Sequence, residues 1–163
     1  MKSHPFLTAA VGLAGAVATI VGATAASANM GPAPQYEYIH ILSASAASGA
    51  STVIATGVFT AGGVATGNLA NGGTDVVTLP GGTFKVSAGK ARGSGSSSAI
   101  TCLSAGTASG VYKIHSGTGK YAHISGSGRF SYSYMSVSAH TNGHCGKTTA
   151  AETTINLQGP AST

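Results

Sequence analysis

Apolar and polar residues alternate with a period of two along most of the chain after residue 28, and no stretch there has apolar residues at helical spacing. This alternation is typical of β-strands that bury one face. Short groups of Gly, Pro, Asn and Ser separate the alternating stretches and mark turns. The pattern predicts strands at Tyr36–Leu42, Ser51–Thr60, Gly63–Asn68, Thr74–Leu79, Thr83–Ala88, Ala99–Leu103, Ser109–Ser116, Tyr121–Ser127, Arg129–Ala139 and Thr153–Gln158.

Ten short strands joined by short turns predict an all-β fold, a small antiparallel up-and-down β-barrel with a β-sandwich as the alternative. We expect one barrel domain over residues 36–158, with a flexible segment before it at 29–35 and a flexible tail after it at 159–163. The low-complexity segments 44–50 and 89–98 are interpreted as mobile loops within that domain.

The alternation changes phase once, within the predicted strand Arg129–Ala139. Phe130, Tyr132 and Tyr134 alternate with serines, whereas Met135 and Val137 continue in the opposite phase. A slip of one residue turns the following side chains to the other face of a sheet unless a β-bulge absorbs it. We therefore expect a bulge or a bend between Tyr134 and Met135.

The first 28 residues have the three parts of a secretory signal peptide. A basic residue, Lys2, precedes the uncharged apolar stretch 6–21, and Ala26 and Ala28 provide the small residues of a cleavage site. We expect this signal to be removed, leaving a mature chain that begins at Asn29 and has no transmembrane segment. The protein is then secreted, either free or associated with the cell wall.

Export determines how the two cysteines, Cys102 and Cys145, are interpreted. An even number of cysteines in an exported chain favours a disulfide over a nucleophile or a metal pair. We therefore predict a Cys102–Cys145 bond, which would stabilise a small domain whose core is thin.

The mature chain is basic. Without Lys2 it has 7 Lys and Arg residues against Glu37, Asp75 and Glu152, a net charge of +4. Such an excess on an exported domain favours anionic cell-wall polymers, with the segment containing Lys85, Lys90 and Arg92 as the contact, or it serves solubility alone. Aromatic residues are not interleaved with the cations, so no nucleic-acid partner is expected.

Three glycine-rich segments carry a resemblance. They are residues 55–60 (Ala-Thr-Gly-Val-Phe-Thr), 79–86 (Leu-Pro-Gly-Gly-Thr-Phe-Lys-Val) and 117–128 (Gly-Thr-Gly-Lys-Tyr-Ala-His-Ile-Ser-Gly-Ser-Gly). Together they resemble small exported proteins of high-GC Gram-positive bacteria, and the third segment resembles a hairpin of the allene oxide cyclase and dirigent-like β-barrels. This resemblance implies a small antiparallel barrel. It implies no cyclase activity, because no residue here matches the catalytic positions of those enzymes.

Glu37 is the catalytic candidate among the carboxylates. It shares the alternation of Ile39 and Ile41, which places it on the buried face, where burial would raise its pKa and suit it to acid or base chemistry. The alternative, which we favour, is that it lies near an open end of the barrel where water reaches it. Asp75 and Glu152 are interpreted as solvated turn residues.

No metal or cofactor site is predicted. The five histidines of the mature chain lack the spacing of metal ligands, and no glycine-rich turn runs from a strand into a helix as phosphate-binding loops do.

The aromatic residues are expected to form the core, or to line an apolar cavity if the barrel is too wide for them to fill. On the second reading a small apolar ligand would contact Tyr38, Phe84, Tyr112, Phe130 and Tyr132. Three functions follow: a non-enzymatic barrel that binds such a ligand or acts at the cell surface, an isomerase or cyclase that uses Glu37 and a tyrosine, and adhesion to anionic wall polymers. The oligomeric state stays open.

Overall fold

Nine antiparallel strands and two short 3-10 turns make up the part of the chain that the computed structural model describes, residues 35–44 and 49–163. The strands are β1 (Tyr36–Ser43), β2 (Ala50–Gly57), β3 (Ala61–Gly67), β4 (Thr74–Leu79), β5 (Gly82–Ala88), β6 (Arg92–Ser98), β7 (Leu103–His115), β8 (Ser125–Thr141) and β9 (His144–Ser162). The 3-10 turns are Leu69–Asn71 and Gly119–Tyr121.

The strands close into a barrel because β5 pairs with β7. Each strand from β1 to β4 pairs with the next, and β1 also pairs with β9, which leads back through β8 to β7. The closing ladder runs from Lys85 opposite His115 to Ala88 opposite Tyr112. Eight strands therefore form a closed antiparallel barrel, and β6 lies outside it. The predicted barrel is confirmed, and the sandwich alternative is wrong.

The barrel interior is filled by every second side chain of the strands, as the alternation predicts. Near one end, the rings of Phe59, Phe84 and Tyr121 meet edge to face or tilted, with centroids 5.3–5.9 Å apart. Such pairs contribute about 0.5–1.5 kcal/mol beyond the burial of their area. The buried core consists of Ile39, Ile41, Val53, Ala55, Ala65, Leu69, Val77, Leu79, Phe84, Val86, Tyr112, Ile114, Tyr121, Ile124, Phe130, Ile155 and Leu157.

A four-stranded sheet continues past one end of the barrel. It consists of β6, residues 103–109 of β7, residues 131–141 of β8 and residues 144–152 of β9, and we call it the extension. Its part of β7 pairs with β6 instead of β5, and its part of β9 lies beyond the ladder with β1, which ends at Thr153. None of its residues is buried, so both of its faces meet solvent.

The extension is the part of the fold that the sequence pattern missed. The segment 89–98 is not a mobile loop, because residues 92–98 form β6. The predicted strands also omit residues 104–108 and 144–152, which belong to β7 and β9. A sheet that buries neither face has no need of alternating apolar residues, so Gly and Ser suffice and leave no periodic signal.

The C-terminal tail also differs from its prediction. Residues 159–162, expected to be flexible, are the last residues of β9, and Pro160 pairs with Tyr36 of β1. Proline is tolerated there because the terminal residues of a strand can spare a backbone donor.

The phase change at Tyr134 and Met135 does not produce a bulge at that point. Tyr134 pairs with Thr153 and Met135 with Glu152 in an unbroken ladder, and the irregularities lie further on, between Val137 and Ser138 and between Ser138 and His140. Because the extension has no buried face, nothing requires the apolar residues to stay on one side. Met135 and Val137 therefore lie on the outer face, where they are exposed.

The predicted disulfide is confirmed and lies at the far tip of the extension. Cys102 is the last residue of the turn between β6 and β7, and Cys145 is the second residue of β9; their Cα atoms are 5.3 Å apart. The backbone N–H of Ser138 donates to the carbonyl of Cys102 at 3.0 Å. The bond thus joins the β6–β7 hairpin to the β8–β9 hairpin.

Several predictions concern residues outside the described ranges. The signal peptide with Ala26 and Ala28, the segment 29–34, and residues 45–48 of the first low-complexity segment all lie there. Within the described ranges, no helix has the length and apolar character needed to cross a membrane.

Replacing both cysteines by alanine should destabilise the protein and loosen the extension first. The disulfide closes a span of 43 residues, and the loop-closure estimate for that span is about 4 kcal/mol. We expect urea denaturation to show a loss of about 3–4 kcal/mol in the free energy of unfolding, and hydrogen exchange to accelerate in residues 92–109 before the barrel strands. An unchanged urea midpoint would contradict this role; reduced wild-type protein is the matched control.

Candidate functional site

Glu37 lies inside the barrel with no exposed surface, so the interpretation that water reaches it is wrong. The alternation on β1 places it beside Gly57 of β2 and Gly159 of β9. Its Oε2 accepts the backbone N–H of Phe59 at 3.2 Å, and its Oε1 has no partner within the described residues. Burial raises the pKa of the Glu37 carboxyl, and the backbone N–H groups of Phe59 and Val58 oppose that effect in part.

Tyr112 shares the interior with Glu37. Gly159 belongs to β9, and β9 lies between β1 and β8 in the barrel wall. On the next strand, Gly128 of β8 pairs with Tyr112 of β7. A Cβ on Gly159 would lie 2.7 Å from the Cα of Gly128, so this part of the wall has room only for glycine. Burial and the negative charge of Glu37 raise the pKa of Tyr112 to about 12.

This carboxyl and phenol are the acid and tyrosine that the enzyme hypothesis requires. The hydroxyl groups of Tyr112 and Tyr121, like Oε1 of Glu37, are buried without a partner among the described residues. The surrounding interior is packed with core side chains, and Glu37 lines none of the three surface grooves described below. Glu37 and Tyr112 are therefore the residue types of an acid–base site, but none of the three grooves leads a substrate to them.

Of the five aromatic residues proposed to contact a ligand, four belong to the core or pack against it, and the fifth lies outside the barrel. Phe84, Tyr112 and Phe130 are core residues with at most 5% exposure, and Tyr132 is half-buried at the point where the barrel passes into the extension. Tyr38 is 40% exposed and lies on the outside. Burial raises the pKa of Tyr132, as does the neighbouring Tyr134, while a hydrogen bond with Thr153 opposes it.

Asp75 is buried, which corrects its interpretation as a solvated turn residue. Its Oδ1 accepts the backbone N–H of Leu69 at 2.9 Å and so holds the first 3-10 turn against β4. Burial raises its pKa, and this hydrogen bond opposes the effect. Glu152 is exposed, but it lies within β9 instead of at a turn.

Two of the histidines, His40 and His115, contact neighbouring polar side chains. His40 contacts Oδ1 of Asn156 at 2.6 Å, and Nε2 of His115 contacts the hydroxyl of Ser87 at 2.8 Å. Among residues 35–44 and 49–163, no three His, Cys, Asp or Glu side chains lie close enough together to hold a metal ion.

Cations collect on the outside of the barrel, where β5, β7 and β8 lie side by side. Ser87 pairs with Lys113 and Val111 pairs with Arg129, so Lys113 and Arg129 occupy diagonal positions on neighbouring strands. Lys85 lies two residues before Ser87 and faces the same way, opposite His115. No local spacing predicts this cluster, because closure of the barrel is what brings β5 beside β7.

The chain between β5 and β6 continues this surface. The N–H of Gly89 donates to the carbonyl of Val111 at 2.8 Å, and Arg92 pairs with Ser109. Together the cluster and this segment form a surface that we call the basic face. Its exposed cations are Lys85, Lys90, Arg92, Lys113 and Arg129.

No carboxylate lies within the basic face. Of the three acidic residues in the chain, Glu37 and Asp75 are buried, and Glu152 belongs to the extension. None of the five cations forms an ion pair with a residue that the structure describes. Neighbouring like charges repel one another, so this surface is poised to attract an anion.

Three grooves lie along the extension. Two are shallow furrows of about 570 and 480 Å³ between the strands β6, β7 and β8, lined largely by Ser, Thr and Gly. The third, of about 550 Å³, lies where β1 leaves the sheet, and we call it the outer groove. Its walls include Leu42, Thr52, Met135, Val137, Ala150 and Glu152.

No protein-family model matches this chain, and no curated protein or solved structure matches it. The similarity to allene oxide cyclase and dirigent-like barrels therefore stays a prediction.

Replacing Glu37 by Gln should stabilise the protein at neutral pH. A raised pKa means that the folded state holds the proton more tightly than the unfolded state, so this contribution to stability is complete below pH 4.5 and is lost as pH rises through the folded pKa. We expect the variant to be more stable than wild type at pH 7 and to lose stability less steeply as pH rises. Asp75 leaves a residual slope of the same sign.

The test is urea denaturation from pH 4 to pH 8, with Glu152→Gln as the control because Glu152 is exposed. Equal pH dependence in wild type and the Glu37 variant would contradict burial of an ionisable carboxyl.

Proposed function

We propose that this protein is an exported, non-enzymatic β-barrel that acts at the cell surface by binding an anionic wall polymer through the basic face. The observation that supports this function is the grouping of Lys85, Lys90, Arg92, Lys113 and Arg129 on one exposed surface without a carboxylate.

The layout of the charges suits a polymer better than a small ion. Neighbouring strands lie about 4.8 Å apart, and outward side chains on one strand follow each other at about 6.8 Å. The basic face therefore extends roughly 10 Å across the strands and 20 Å along them. A chain with regularly spaced phosphates or carboxylates can meet several of these cations at once, whereas a single small anion meets one or two.

Export and the disulfide support the same location. The predicted signal peptide directs the chain out of the cytoplasm, and disulfides persist in oxidising compartments. The part of the chain that the structure describes contains no free thiol that an oxidising compartment could modify.

The alternative of an isomerase or cyclase has one observation in its favour, the proximity of Glu37 and Tyr112 in the interior. Both side chains are at most 3% exposed and packed within the core. A substrate would have to displace core residues to reach them, and we therefore favour binding over catalysis.

Replacing Lys113 and Arg129 together by Gln should weaken binding to poly(glycerol phosphate) and to polygalacturonate by about five- to tenfold. Each exposed charge contributes about 0.5–1 kcal/mol at low salt, and the two effects add. The measurement is a binding titration in 20 mM and in 300 mM NaCl. Wild-type affinity should fall steeply between these conditions because salt screens exposed charges.

Lys147→Gln is the control, since Lys147 is an exposed cation on β9 outside the basic face. It should reduce binding far less than the double variant does. Binding that is indifferent to salt, or that is reduced as much by Lys147→Gln as by the double variant, would contradict the proposed function.

A further inference from the structure

The outer groove has apolar walls in a region that is otherwise made of small polar residues. Leu42 is 39% exposed, Met135 55% and Val137 40%. Large exposed apolar side chains that gather on one surface are characteristic of interaction sites. The volume of about 550 Å³ lies within the range of small-molecule sites, about 300–1,000 Å³.

The strand register explains how these side chains come together. Leu42 pairs with Thr52 and with Thr154, and the outward position after Thr154 toward the tip is occupied by Glu152, opposite Met135. β1 and β2 end near this level, while β8 and β9 continue. The end of the barrel wall therefore forms one side of the groove, and the extension forms the other.

Glu152 is the one exposed carboxylate among the described residues, because Glu37 and Asp75 are both buried. It lines the outer groove, and the wall residues that the structure describes include no Lys, Arg or His. Its carboxylate makes no hydrogen bond or ion pair with any residue that the structure describes. A protein with an excess of cations thus places an unpaired negative charge beside its apolar groove.

From this combination we infer that the outer groove binds an amphiphilic cation, a small molecule with an apolar chain or ring and a positively charged amine. The apolar part lies against Leu42, Met135 and Val137, and the amine lies beside the Glu152 carboxylate. The complementary charge selects a cation over an anion of the same shape. This site is separate from the basic face and its occupant has the opposite charge.

The test compares three probes with the same eight-carbon chain: octyltrimethylammonium, octanol and octyl sulfate, each below its micelle concentration. Isothermal titration of the purified mature protein in 150 mM NaCl should rank the ammonium probe first and the sulfate last. Glu152→Gln should weaken the ammonium probe about fivefold and leave octanol unchanged, since one partly exposed charge has an effect of this size.

Met135→Ser should weaken octyltrimethylammonium and octanol about equally, by about three- to tenfold, because it removes apolar contact from both. Val111→Ser is the matched control, since Val111 is exposed to a similar degree, 59%, and does not line the groove. It should leave both probes unaffected.

Three outcomes would overturn the inference. Equal affinity for all three probes, or an ammonium affinity that Glu152→Gln leaves unchanged, rules out a cation site. Absence of binding by every probe rules out the groove itself. Binding of polymer to the basic face is measured separately, so failure here leaves the proposed function standing.

Discussion

Strand β7 has to pair on one side with two different strands, and the rest of the architecture follows from this sharing. Its residues 112–115 pair with β5 and close the barrel, while residues 103–109 pair with β6. A strand that serves both partners must be longer than the barrel wall. Its neighbours β8 and β9 are correspondingly long, with 17 and 19 residues, and together with β6 they produce the extension.

The same sharing creates the two surfaces to which we assign binding. Where β5 meets β7, the outward side chains of β5, β7 and β8 become neighbours, and cations distant in sequence form the basic face. Where β1 and β2 end beside the continuing β8 and β9, the step between short and long strands forms the outer groove. Inside the barrel, Gly57 and Gly159 beside Glu37 allow neighbouring strands to approach closely. The interior is therefore filled although the chain has few large side chains.

The sequence pattern predicted a strand where one face of that strand is buried, and it missed strands with both faces in solvent. Strand β4 was predicted with its observed bounds, Thr74–Leu79, because Val77 and Leu79 face the core. Strand β6 was not predicted at all, since Gly and Ser with both faces in solvent show no periodicity. The alternation placed Glu37 inside correctly, but the depth of its burial required the structure. Cys102 and Cys145 could be paired by count, because the chain has two cysteines.

The candidate surfaces were visible in sequence only as fragments. Lys85, Lys90 and Arg92 stood out locally, whereas Lys113 and Arg129 join them only through the pairing of β5, β7 and β8. The change of phase at Met135 was a real signal, but it marks side chains that move to the outer face and not a bulge. Local spacing cannot distinguish these two outcomes, because they differ only in whether the strand has a buried face at that point.

The separation between a filled barrel and an extension without a buried face has a consequence for how this chain can change over time. Substitutions at core positions such as Ile39 or Leu157 must preserve volume, because the interior leaves them no room. Substitutions at Ser94 or Thr107, on the solvent-exposed strands of the extension, meet no such restriction. Natural variation can therefore alter the surface of the extension while the barrel continues to fold.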